Sequence, residues 1–89
     1  MIRIFARHKV EDYQAWRKVY DSFDEGRTQL GIKAHEVFQS VDDPNDITVL
    51  HDVESAEVGK AFIESDKLRD AMKNGGVVGT PTFWITKKV

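Results

Sequence analysis

The stretch IRIFARHK, residues 2–9, alternates: Ile2, Ile4 and Ala6 fall on one side, and Arg3, Phe5 and Arg7 on the other. Period two over that length predicts a strand. Asp12 then offers a side-chain oxygen to the free N–H groups of a first helical turn. Tyr13, Trp16, Val19, Tyr20, Phe23 and Leu30 follow at spacings of three, four and seven. That stripe predicts one helix, with Gly26 tolerated inside it and Gly31 as its stop. KAHEVFQSV reads as a second strand, DDPND as a hairpin loop and ITVLHDV as a third strand. Ser55 caps a second helix that turns Val58, Ala61, Phe62, Leu68 and Met72 inward. Ser65 and Asp66 kink or restart it, and NGG ends it. GTPTFWITKKV closes the chain as a fourth strand, with Pro81 near its start.

The order β-α-β-β-α-β predicts an α+β, ferredoxin-like domain spanning residues 1–89. Its four-stranded antiparallel sheet carries both helices on one face, and right-handed crossovers give strand order 4-1-3-2. On that register Ile2, Ile4, Ala6, Val37, Val41, Ile47, Val49, Phe83 and Ile85 face the helices. The other face should be polar, yet it carries Phe5, Phe38, Leu50 and Trp84, one large apolar group from each strand. A chain of 89 residues buries only about two thirds of its unfolded surface, so its core is small. The expected cover for the open face is a second copy, giving a two-fold homodimer and a dimeric α+β barrel. Arg3, Arg7, Glu36, Asp52, Thr82 and Thr86 share this face. Charges buried there need partners, so they pair at a rim or line a hydrated cavity between the sheets. In the cavity reading Arg3, Phe5, Arg7, Phe38, Leu50, Asp52 and Trp84, with Trp16, contact a small organic ligand.

Composition excludes several classes. The net charge is −2 with no basic tract, and the third strand lacks a basic aromatic motif, so no nucleic-acid partner is expected. No apolar run is long enough for a membrane span. With no cysteine there is no disulfide and no thiolate site, which fits a reducing cytoplasm. His8, His35 and His51 lie singly on three strands without metal-ligand spacing, so no metal is expected. DDPND lacks the turn glycine and terminal glutamate of a calcium loop. GGVVG follows a helix, the wrong order for a phosphate cradle. Asp24 and Arg27, three apart, read as an exposed surface pair.

His8 is the sharper candidate. It ends the first strand in the register of Ile4 and Ala6, beneath the start of the first helix, where Trp16 reaches it. Such a histidine serves either as a buried imidazole hydrogen-bonded at a corner, the commoner role, or as a general base. His51, mid-strand, poses the same choice.

With these elements placed, the chain resembles the dimeric α+β barrel superfamily, and within it short cyclase-like bacterial proteins. RHKVEDYQAW, FDEGR, VFQSVDDPND, LHDVES and GVVGTPTFW carry the likeness. Members include antibiotic-biosynthesis monooxygenases, polyketide cyclases and haem-degrading enzymes. Two departures bear on activity. Val53 stands where monooxygenase-type members often have tryptophan, and the second helix has no histidine to ligate haem iron. The resemblance therefore implies the fold and leaves two function classes. One is a homodimeric protein binding a small organic molecule, in a cavity between sheet and helices or between paired sheets. The other is a cofactor-free monooxygenase or cyclase acting on an aromatic or polyketide-like substrate, with His8 or His51 as base.

Overall fold

The computed structural model describes all 89 residues. Strand β1 spans Ile2–Val10, β2 Ala34–Gln39, β3 Asp46–Val53 and β4 Val77–Lys87. They form one antiparallel sheet in the order β2-β3-β1-β4, the expected topology. The two helical arms are each broken. Helices α1 (Tyr13–Ser22) and α2 (Asp24–Gln29) replace the single first helix, and α3 (Ala56–Glu64) and α4 (Asp66–Asn74) form the second arm.

The caps explain where these helices start. Asp12 accepts from the N–H of Ala15 at 2.9 Å. Ser55 accepts from Val58 and Ser65 from Leu68, both at 3.2 Å. Ser65 has extended backbone, so it stops α3 and restarts α4 in one residue. Gly31, at φ 91°, ends the first arm in the left-handed region.

The break in the first arm has a different cause. Phe23 donates its N–H to both Val19 and Tyr20 carbonyls at 3.2 Å. The Tyr20 carbonyl also accepts from Nη2 of Arg27 at 2.8 Å. A side chain thus takes a carbonyl at the end of α1 that a continuous helix would use for its own ladder. The chain turns there, and Arg27 swings under α1. Gly26 sits where the turn is tightest: a Cβ added to it would lie 2.7 Å from the Phe23 ring.

The helices cover the face that carries Ile4, Ala6, His8, Val10, Ile47, Val49, His51 and Val53, all buried. Two core groups fill this layer, one around Ile4, Ile32, Val53, Phe62 and Leu68, the other around Val10, Trp16, Tyr20, Ile47 and Val49. Three expected inward residues are not in it. Val41 is fully exposed because β2 ends at Gln39, Ala61 is exposed on the outer side of α3, and Ile85 is 38% exposed near the uncovered end of edge strand β4.

β4 also starts earlier than expected, and Asp46 belongs to β3 rather than to the hairpin loop. The β1–β4 register shifts between Arg7 and Lys9, which pair with Thr82 and Val78. Gly79, Thr80 and Pro81 together stand opposite His8. Pro81 is therefore in a bulge, where a missing N–H costs no ladder bond, and Gly79 takes φ 74°.

Candidate functional site

The bulge bends β4 beside His8, and α2 turns Arg27 inward, so a cavity remains between sheet and helices. Its volume is ≈ 50 Å³. Apolar groups, among them Ala6, Phe62 and Met72, make most of its wall, and His8, Trp16, Tyr20, Arg27 and His51 supply its chemistry.

His8 faces the first helix as expected, but it lies inside β1, which runs on to Val10 rather than ending at His8. It is buried, and its ring centroid is 5.6 Å from that of Trp16 with planes inclined at 59°. The expected hydrogen bond is not made at Nδ1, which is buried without a partner. His51 is alike: it is buried against Phe62, with centroids 4.9 Å apart, and its Nδ1 is also unpartnered.

Arg27 pairs with Asp24 as expected, but from a buried position rather than at the surface. It is only 2% exposed, and its guanidinium carbon lies 3.9 Å from the Tyr20 ring centroid. Nη2 reaches Asp24 Oδ1 only at 3.5 Å, and Nε has no partner. A signal for this was present: Arg27 falls on the same helical stripe as Tyr20, Phe23 and Leu30.

The electrostatics follow from burial. Burial, then the charge of Arg27 and of His35, lowers His51 to about 3. Burial lowers His8 as well, against the weaker pull of Asp46. Burial pushes the Tyr20 phenol up to about 12. At neutral pH the cavity therefore holds two neutral imidazoles, a protonated phenol and one cation, Arg27.

Of the sequence candidates, His8, Trp16 and His51 meet in this cavity. Arg3, Phe5, Arg7, Phe38, Leu50, Asp52 and Trp84 lie on the opposite face of the sheet, as the register requires. There Trp84, Phe5 and Leu50 form one cross-strand row. Trp84 and Phe38 are nearly half exposed. Two bidentate pairs bracket the row. Arg3 binds Asp52 at 2.7 and 3.0 Å, and Arg7 binds Asp46 at 3.0 and 2.6 Å. These hydrogen bonds hold both carboxyls below the usual carboxylate range. These four charges thus pair within the chain, whereas Glu36, opposite Leu50 at the end of the row, makes no ion pair. Arg3, Phe5 and Asp52 also edge a shallow groove with Lys87 and Lys88.

No group of three or more His, Asp or Glu side chains converges as metal ligands do. No helix is long and apolar enough to cross a membrane.

No family model matches the chain. No curated protein matches it. Solved structures do. A Bordetella bronchiseptica protein assigned to the antibiotic biosynthesis monooxygenases superposes with TM-score 0.85 at 16% identity, over 99% of this chain and 96% of that one. SnoaB, a cofactor-independent oxygenase from Streptomyces nogalater, gives TM-score 0.75 at 8% identity, over 99% and 94%. A conserved protein from Methanosarcina mazei Go1 gives 0.76 at 20%, over 99% and 92%. The chain has the ferredoxin-like α+β fold of the antibiotic biosynthesis monooxygenase proteins.

Proposed function

We propose that the protein binds a small acidic or enolisable organic molecule in the cavity between sheet and helices. One observation carries this reading: Arg27, a buried cation with Nε unpartnered, in a cavity whose walls are otherwise mostly apolar. A buried guanidinium with one long ion-pair contact and an unpartnered Nε–H is costly, and an anionic oxygen beside it lowers that cost. The apolar wall and the Trp16 and Tyr20 rings suit a flat hydrocarbon body. The cavity, at ≈ 50 Å³, has room for roughly four waters, so a single ring is the upper limit for the ligand and enters only as apolar side chains of the wall move apart.

A second reading is a cofactor-free oxygenase or cyclase. The likeness to SnoaB, a cofactor-independent oxygenase, favours it. So do His8 and His51, neutral rings with a free Nδ1. An imidazole takes a proton from the ligand, and Arg27 stabilises the anion left behind. The anion then passes an electron to dioxygen, the two radicals combine as a peroxide anion and the imidazolium returns the proton to give the hydroperoxide; alternatively, the anion closes a ring.

The open face supports a homodimer. Its apolar row is flanked by two ion pairs made within the chain, so a second copy covers it if Glu36, exposed at the edge strand, stays at the rim in water.

The test uses 4-nitrophenolate, a single-ring anion. Trp16 fluorescence, isolated in W84F, should be quenched saturably by the probe, and R27M should abolish the saturable part. Equal quenching in the R27M background would overturn the reading.

A further inference from the structure

Three polar groups continue outward from the cavity wall. Tyr20 lines the cavity, and its hydroxyl meets His35 Nδ1 at 2.5 Å. His35 Nε2 meets Asp24 Oδ1 at 3.1 Å. Exposure rises along this line, from 8% for Tyr20 to side-chain values of 30% for His35 and 68% for Asp24. A neutral His35 protonated at Nε2 satisfies both bonds at once: it accepts from Tyr20 and donates to Asp24.

Each residue comes from a different element. Tyr20 is on α1, Asp24 is on α2 beyond the break at Phe23, and His35 is on edge strand β2. His51 on β3 faces His35 with centroids 6.2 Å apart, and Arg27 covers the Tyr20 ring. Arg17 lies 5.3 Å from the Tyr20 ring and is paired with Asp21. The turn that buries Arg27 also carries Asp24 to His35.

We propose that Tyr20, His35 and Asp24 form a proton relay between the cavity and solvent. This rests on the proposed binding of an acidic ligand. The Tyr20 oxygen takes the ligand's acidic proton as its own O–H proton passes to His35 Nδ1. His35 gives up its Nε2 proton to Asp24 Oδ1, and Asp24 releases it to water. The ligand ends as an anion beside Arg27, Tyr20 is again a neutral phenol, and His35 has changed tautomer. Tautomer exchange through solvent at the half-exposed edge resets it. No charge stays on a buried residue, which suits a cavity that disfavours imidazolium. Tyr20 touches the ligand; His35 and Asp24 are positioning residues.

The experiment is stopped-flow mixing with 4-nitrophenol, whose phenolate is read by its visible absorbance. Below the probe's own pKa, wild-type protein should ionise it on binding and release a proton to a bulk indicator. The ratio of this rate to the binding rate above that pKa should fall about 100-fold in H35Q and D24N. A purely structural role for either residue would change both rates together. D24N alters an exposed carboxylate and keeps the test valid if H35Q does not fold. Ionisation at the wild-type ratio in D24N, or in both variants, would overturn the relay while leaving ligand binding intact. A wild-type protein that binds the probe at no pH would overturn the cavity reading and the relay with it.

Discussion

Arg27 and His51 differ in charge within one cavity because burial acts on groups of very different basicity. Arginine stays charged because its guanidinium is too basic to neutralise, whereas burial strips histidine of its proton. His51 at about 3 lies below the unfolded value of 6.5. Below 6.5 the unfolded chain binds a proton that the folded chain refuses. Stability from this group is thus complete above 6.5 and declines as pH falls toward 3. The slope is at most about 1.4 kcal/mol per pH unit. Urea melts at neutral pH and at about pH 4.5 should show a smaller loss in H51F than in wild type. Equal losses would mean that His51 is not held neutral by the fold. Arg27 predicts a different trade. R27M keeps the volume and removes a charge with an unsatisfied Nε, so its melting temperature should equal or exceed that of wild type while anion binding is lost. A strong loss of stability in R27M would assign Arg27 to the scaffold through its bond to the Tyr20 carbonyl.

Helix boundaries are set by single side chains. Replacing Asp12, Ser55 or Ser65 by alanine removes one bond to a free N–H, and each should cost about 1 kcal/mol in a denaturant melt. Gly31→Ala should cost about as much or more. It forces a side chain into φ 91° and brings a Cβ within 2.8 Å of Val58. No measurable change at all three caps would mean that the helix starts are held by packing alone. The first arm was the element read least well from sequence. Its stripe of Tyr13, Trp16, Tyr20, Phe23 and Leu30 runs unbroken through the turn, because a bend at one residue need not change which side faces the sheet. What breaks it is a bond from Arg27 to a carbonyl seven residues earlier, and periodicity carries no record of that.

At the scale of the whole molecule, the open face sets the expectation. Trp84 and Phe38, each nearly half exposed, and the partly exposed Phe5 beside buried Leu50 form an apolar patch that a second copy would cover. Light scattering at micromolar concentration should report twice 10.2 kDa, with a buried area on the order of 1,500 Å². Trp84→Asp should dissociate that assembly, since it puts an uncompensated charge into the middle of the apolar row. A monomer in the wild type would remove the dimer and leave the helix-side cavity untouched. The two are separable because the sheet lies between them.

The amino-acid sequence determined the topology of this protein and the sidedness of its sheet. Strand alternation is a local property, so Ile4 and His8 on one face and Phe5 and Trp84 on the other followed from parity alone. Asp12 and Ser55 were equally legible, because a cap acts within one turn. Only the tertiary structure decided the chemistry of the cavity. Arg27 read as an exposed partner of Asp24, and His35 as an isolated histidine, because their contacts join residues on different elements. The Tyr20–His35 bond spans α1 and β2, and His35 meets His51 only through strand pairing. Burial, which removes the charge from His8 and His51, depends on the same long-range packing. It has no counterpart in the spacing of residues along the chain.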